Sequence, residues 1–211
     1  METDEMIATL AADLTPVQPV VPWRRAMFWL LLAVTLITGA VAWYGFRPDI
    51  HERMLMPSEQ IQWIASVLAG VLAALAAARL AEPGRSEAWA LLPLPAVVVW
   101  LAGLGWGCLA DIARLGAAAL TLGTSWHCMG FIVGLGVPLL AVLLYLLKDG
   151  ASLRPGPVAA LAGLAAAALS SAGLSLFHHL DAVLMILVWH GAAVALVAGI
   201  GAVSGRFALA R

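Results

Sequence analysis

Six apolar runs, each about twenty residues long, leave this chain very few ways to fold. They fall at 26–46 (AMFWLLLAVTLITGAVAWYGF), 61–81 (IQWIASVLAGVLAALAAARLA), 88–110, 126–147, 157–177 and 182–204. A helix of that length rises about 30 Å, which matches the hydrocarbon core of a bilayer. Lipid offers no hydrogen bonds, so each run must satisfy its own backbone as a helix. The breaks between runs are short and carry turn chemistry: FRPD, EPGR, KDGASLRPGP and HHLD. Pro93 and Pro95 fall near the start of the third run and Pro138 inside the fourth. Neither argues against a membrane helix, where proline is tolerated. The expected fold class is all-α: a polytopic membrane protein with six transmembrane helices over 23–211, preceded by a tail at 1–22.

Composition closes off the soluble alternatives. With 63% hydrophobic and 11% charged residues, a soluble domain of 211 residues could not cover its surface. The net charge of −1 provides no basic face for nucleic acid. The opening METDEM is acidic where a secretory signal would be basic, so no cleavage is expected. Two cysteines with no CxxC pairing argue against a thiol–disulfide oxidoreductase.

Basic residues set the orientation. With the N-terminus in the cytoplasm, Arg24, Arg25, Arg79, Arg85, Lys148, Arg154, Arg206 and Arg211 lie inside, and Arg47, Arg53 and Arg114 outside. That bias predicts an N-in, C-in protein. Every Cys and His then maps to the outer half. His51 is in the first outer loop, Cys108 ends span three, and His127 and Cys128 open span four. His178 and His179 fill the turn before span six, and His190 lies a few turns below the outer surface.

The tail is not apolar enough to cross a membrane. TDEMIATLAADLTP reads as a short amphipathic helix, with Asp4 and Glu5 in the first turn where the helix dipole favours negative charge. Met6 or Ile7, Leu10 and Leu14 recur at helical steps and form one apolar stripe. Pro16 stops the helix, and PVQPVVP follows as an extended linker. Helices this short are marginal alone in water and need a surface. Acidic residues, including Asp13, would be repelled from an anionic leaflet, so a basic protein partner suits the stripe better than lipid does. A frayed tail without a partner is the other reading.

At the outer face, Cys128 with His127, His178 and His179 offers a thiolate and three imidazoles, a mix that suits Zn²⁺, Cd²⁺ or Cu⁺. Cys108 can join if spans three and four pack together. His127 and Cys128 are neighbours on a helix, so their side chains point about 100° apart. A ligand set shared between span four and the turn after span five is easier to build. The alternative is that the histidines are interfacial and Cys128 is a small apolar filler. His190, ionisable and inside a span, is a functional candidate by position, or else a hydrogen-bonding residue between helices. Haem ligation by His190 and His127 would need matched depths, which their positions do not give.

Two function classes compete at this stage. A permease would suit six spans, but no Asp, Glu, Lys or Arg lies clearly at mid-membrane to hold a coupling ion. The Ala- and Gly-rich second and fifth spans describe a tightly packed scaffold. An enzyme is not expected, because no nucleophile–base pattern, HExxH or phosphate loop is present.

A longer ordered pattern points elsewhere. DEMIATLAADLTPVQP opens the chain, followed by GFRPD, LAEPGR, WHC, LRPGPVAALAGLAAAAL, HHLDAVLMILVWH and GRFALAR. This set resembles the NrsF-type membrane anti-sigma factors of Gram-negative bacteria over nearly the whole chain. The resemblance implies a multi-pass protein of the bacterial inner membrane that sequesters an extracytoplasmic-function (ECF) sigma factor. The partners implied are that sigma factor and the bilayer, with no direct nucleic-acid contact. The cytoplasmic tail would make the contact through Asp4, Glu5, Met6, Ile7, Leu10, Asp13 and Leu14. A periplasmic metal or redox stress signal would release the sigma factor through cysteines, and Cys128 matches the cysteine after the span-four Trp. Where the family tends to have HC after span five, this chain has His178 and His179, so a disulfide sensor lacks its second thiol there. A transient soft metal ion (Zn, Cd or Cu) at the periplasmic side remains open. No resident cofactor is expected.

Overall fold

In the computed structural model, every regular element among the described residues is helical; those residues are 3–12, 14, 21–120, 123, 125–150, 153–178 and 183–209. The α-helices are α1 (Thr3–Ala12), α2 (Pro22–Tyr44), α3 (Ile50–Met54), α4 (Pro57–Leu80), α5 (Leu94–Leu115), α6 (Trp126–Leu147), α7 (Pro155–Leu174) and α8 (Val183–Ala208). Three 3₁₀ turns, Glu87–Leu91, Gly116–Leu120 and Lys148–Gly150, flank α5 and follow α6. Six of these helices are long and apolar enough to cross a membrane: α2, α4, α5, α6, α7 and α8.

Proline sets several of the helix starts. Pro22, Pro57, Pro95 and Pro155 lie in the first turns of α2, α4, α5 and α7, where an amide N–H has no intrahelical acceptor anyway. This moves the third span. The sequence placed it at 88–110, but Pro93 and Pro95 fit only a first turn, so the α-helix begins at Leu94 and runs to Leu115. Residues 87–91 form a 3₁₀ turn instead. Gly45 and Gly116 adopt φ of 77° and 59° and end α2 and α5, a conformation that side-chain-bearing residues resist. The fifth helix stops at Leu174, short of the expected 177.

Contacts between helix ends sort the molecule into two poles. At the pole near both termini, Arg25 of α2 donates to the Leu146 carbonyl of α6 and lies 3.6 Å from Asp149. Arg154, just before α7, reaches the Arg85 carbonyl and pairs with Glu87. At the opposite pole, the Arg47 amide after α2 donates to the Leu176 carbonyl after α7 at 3.0 Å. There, too, the Val183 amide that opens α8 donates to Asp111 of α5 at 3.1 Å. A carboxylate at that helix N-terminus satisfies an orphan donor and complements the helix dipole.

α7 is the axis. Of its apolar window 83% is buried, against 22% for α2. The sequence explains this: PGPVAALAGLAAAALSSAGL is almost entirely Ala, Gly, Ser and Leu. Small side chains let α4, α6 and α8 all approach α7 closely. The closest approach is to α8. A Cβ on Gly163 would lie 2.6 Å from the Val197 carbonyl oxygen, and one on Gly201 or Gly205 would overlap the Ala159 or Pro155 oxygen. Exposed aromatics frame the bundle at its ends: Trp43, Tyr44, Trp106 and Trp126 at the far pole, Trp23, Tyr145 and Phe207 at the terminal pole. Aromatic belts of this kind mark the two interfaces of a membrane helix bundle.

Candidate functional site

At the far pole, residues from two segments, the start of α6 and the end of α7, meet around one thiol. Ser125 precedes α6, and its hydroxyl donates to Cys128 Sγ at 2.9 Å and accepts no capping bond from the helix backbone. Cys128 is fully buried. Its sulfur lies 3.8 Å from His178 Nδ1 and 3.9 Å from Nε2, a contact made across fifty residues of chain. Because the two nitrogens are nearly equidistant, neither ring lone pair is aimed at the sulfur. A metal ion bound to both a thiolate and an imidazole holds S and N about 3.5–4 Å apart. The sulfur and the ring are thus near the separation of a ligand pair, but the ring would have to turn to aim a nitrogen at a shared ion.

His178 is held from its other side. Its amide donates to the Leu174 carbonyl at 2.9 Å, and its carbonyl accepts from Arg47 Nη1 at 3.2 Å. Arg47, 7% exposed, forks onto Asp49 through Nε at 2.6 Å and Nη2 at 2.8 Å. Arg53 adds a bond to Asp49 at 3.3 Å and one to Glu59 at 2.9 Å. The Arg47 fork holds the Asp49 carboxyl well below the usual carboxylate range, against the burial that pushes it up. The result is a clasp that ties the end of α2 to the end of α7 and the start of α4.

Inside the clasp lies a cavity of about 60 Å³ between α4, α5, α7 and α8. Its polar wall includes Arg47, Arg53, Glu59, His178 and His190, with Ser171 and Ser175 from the end of α7. His190 is 3% exposed, and its Nδ1 lies 2.7 Å from Ser171 Oγ. Three side chains beside the cavity bridge helices: Gln62 to the Gly103 carbonyl, Trp63 to Ala172 and Ser66 to Ala168.

The expected residues divide clearly. Cys128 and His178 are brought together, and His178 and His190 share the cavity. His127 is exposed and points away from its buried neighbour, as adjacent helix positions must. Cys108 is half-buried on α5, packed against the buried cluster that includes Trp100, Leu104 and Val183. The reading that drew Cys108 toward Cys128 required spans three and four to pack together. Instead α5 packs on α4 and α8, and both cysteines are free thiols. His179 and Asp13 lie outside the described residues. No group of three or more Cys, His, Asp and Glu able to hold a metal occurs among the described residues.

Sequence reasoning missed Ser125, Ser171, Asp111 and the Arg47 clasp. One signal was available: Gln62 and Ser66 are polar, four apart and inside an apolar span, so they share a face that has to meet another polar surface.

α1 leaves every one of its residues exposed, including Met6, Ile7 and Leu10. Leu14, beyond the helix, is exposed as well, and Asp4 and Glu5 occupy the first turn. The bundle covers none of these side chains.

A family profile described as "Negative regulator of sigma F" (NrsF) matches residues 10–210. Two curated proteins are similar over most of their length. The "Anti-sigma-F factor NrsF" of Caulobacter vibrioides (strain NA1000 / CB15N) is 30% identical over 217 residues, covering 99% of each chain. The "Probable anti-sigma-F factor NrsF" of Azospira oryzae (strain ATCC BAA-33 / DSM 13638 / PS) is 29% identical over 179 residues, covering 81% of each. No solved structure matches.

Proposed function

The chain belongs to the NrsF family of negative regulators of sigma F, and from that premise we propose that it is an anti-sigma factor that holds an ECF sigma factor at the bacterial inner membrane. The observation that carries the tail's role is the exposure of α1. An apolar stripe of Met6, Ile7, Leu10 and Leu14, flanked by Asp4, Glu5 and Asp13, is left for another protein to cover. Sigma factors carry basic surfaces for DNA and polymerase, so an acidic amphipathic ligand has the complementary charge. With N-terminus and C-terminus in the cytoplasm, this tail lies on the side where sigma factors work.

The Cys128–His178 pair is the proposed input at the periplasmic side, for a soft metal ion or an oxidant. His179 is the nearest further ligand in sequence. His127, Cys108 and His190 are held as secondary candidates, since none of them is in contact with the sulfur. The route inward is short: a change at His178 acts on its carbonyl, which holds Arg47 at the end of α2. α2 is the span that leads to the tail, so loosening the clasp can shift α2 against α7 and change how the tail is presented. A permease reading has less support, because α7 fills the axis along which a path would run.

Co-purification of the cognate sigma factor with the full chain in membranes tests the reading. Wild type should retain the sigma factor and Leu10→Glu should lose it, while both insert equally. Equal retention would remove the tail from the contact.

A further inference from the structure

Between α6 and α8, at the pole near both termini, the surface of the bundle opens into a groove of about 420 Å³. Val137, Ala141, Tyr145 and Lys148 line it from α6, and Ile200, Ser204 and Ala208 from α8. On each helix these residues recur at steps of three or four, so they form facing stripes. Small side chains at Ala141, Ser204 and Ala208 leave space that bulkier residues would fill. Leu140 and Leu144, both buried, close the floor. Ser204 donates its hydroxyl to the Gly201 carbonyl of its own helix at 3.1 Å, so the groove asks for no polar partner at depth.

The groove runs along the bilayer normal and changes character at its mouth. From Val137 to Lys148 is eleven residues, a rise of about 16 Å. Half of a hydrocarbon core is about 15 Å. Tyr145 and Phe207, exposed at this end, mark the interface, and Lys148 closes α6 beside them. Lys148 Nζ lies 3.9 Å from the centre of the Tyr145 ring, a contact that places the ammonium without neutralising it. Among the described residues Lys148 forms no ion pair. The carboxylates around it are engaged elsewhere: Asp149 with Arg25, Glu82 with Arg79 and Arg85, and Glu87 with Arg154. An apolar slot one leaflet deep therefore ends at an uncompensated cation.

We propose that the groove holds one acyl chain of a phospholipid whose net-anionic headgroup rests on Lys148. A zwitterionic lipid fits the same apolar walls but brings a cation of its own toward Lys148, so the anionic lipid is preferred. The tail helix α1 does not suit the slot. Asp4 and Glu5 in its first turn would be drawn toward the hydrocarbon, where carboxylates are costly. The bound lipid ties α8 to α6 at the end where Arg25 of α2 holds the Leu146 carbonyl of α6. The site rests on the six helices crossing a bilayer, and it does not depend on sigma binding.

The test uses the full chain in nanodiscs of phosphatidylcholine with a minor fraction of phosphatidylglycerol, with retained lipids counted by native mass spectrometry. Wild type should keep one phosphatidylglycerol per chain in preference to phosphatidylcholine. Lys148→Gln should lower that preference about fivefold, and Lys148→Arg should keep it. Ala141→Phe, which fills the slot, should lower retention of both lipids. Should Ala141→Phe fail to insert, a phosphatidylglycerol with a photoreactive acyl chain decides the matter in wild type. Its label should fall on 137–148 and 200–208, and unlabelled phosphatidylglycerol should compete better than phosphatidylcholine. The proposal is overturned by equal retention of the two lipids, by a preference unchanged in Lys148→Gln, or by label spread evenly over the exposed faces of all six spans. A dimer that excludes the probe would give the groove to a second copy, and labelling that rises in Leu10→Glu would give it to the tail; either result overturns the lipid site.

Discussion

α7 and α1 sit at opposite extremes of the same chain. α7 is covered on nearly every side by Ala- and Gly-mediated contacts, and α1 is covered on none. Both are helices of modest length with apolar residues, so burial is not set by hydrophobicity alone. α7 is buried because its side chains are small enough for three neighbours to close on it. α1 carries longer side chains, Met6, Ile7 and Leu10, that would fit a groove on another protein but not the crowded axis of this one. One helix holds the scaffold together, and the other is the proposed ligand for the sigma factor. Changes in the two should therefore have separable consequences.

The largest effect is expected at the α7–α8 crossing. Gly201→Leu places a side chain against the Ala159 carbonyl, where backbone rather than a flexible tip must move. Overpacking of this kind costs about 1–3 kcal/mol and more where backbone cannot yield. The variant should show a lower unfolding midpoint and less protein in the membrane, and the fraction that does fold should bind sigma factor with unchanged affinity. An unchanged midpoint would mean that the crossing is looser than the structure has it. Next in size is Leu10→Glu in α1. Loss of an anchor residue typically costs 2 kcal/mol or more, about thirtyfold in affinity, while the midpoint should stay where it is in wild type. If both variants changed both properties, the division between scaffold and ligand would fail.

Much of this contrast is legible in the sequence, and the reasons are physical. Spans are readable because lipid demands about twenty apolar residues whatever the neighbours are, and the fourth expected run coincides with α6 at both ends. The third slid by several residues because Pro93 and Pro95, expected a few residues inside the run's start, mark the start of the α-helix itself. The Ala–Gly character of 157–177 already implied close packing, but not that this span would be the axis. The far-pole site was legible only in part. Cys128, His178 and His190 stand out as residue types, yet what joins them is contact between distant segments: Arg47 with the His178 carbonyl, and Ser171 with His190. No local pattern encodes such pairs, and the Asp111 cap on α8 is equally invisible. The exposed stripe of α1 was readable because it needs no tertiary partner within the chain.

A smaller effect separates the input from the scaffold. Cys128→Ser keeps a small side chain in a closed site, so sigma retention and bundle stability should change little. The response to a soft metal or an oxidant, followed as release of sigma factor from membranes, should disappear. A normal response in this variant would move the input away from the thiol, with His178 and His179 the next residues to change.

The smallest predicted effect concerns the clasp and has a defined sign. Arg47 lowers the Asp49 carboxyl below its ordinary value, so the folded state holds that proton less tightly than the unfolded chain does. The contribution of Asp49 to stability is then fully present above the unfolded carboxylate value of about 3.9 and is lost as pH falls below it. Asp49 is 36% exposed, so solvent screening keeps the effect modest. Between pH 7 and pH 5 wild type should show no change in midpoint from this group, and between pH 4 and pH 2.5 a gradual fall. Asp49→Asn should start lower at pH 7 and fall less steeply on acidification. The two curves should converge toward low pH, because a protonated Asp49 and an asparagine then offer Arg47 much the same thing. Parallel curves across the whole range would show that the Arg47 fork does not couple to folding, and would leave the Arg47 bonds to the Leu176 and His178 carbonyls to join the end of α2 to the end of α7.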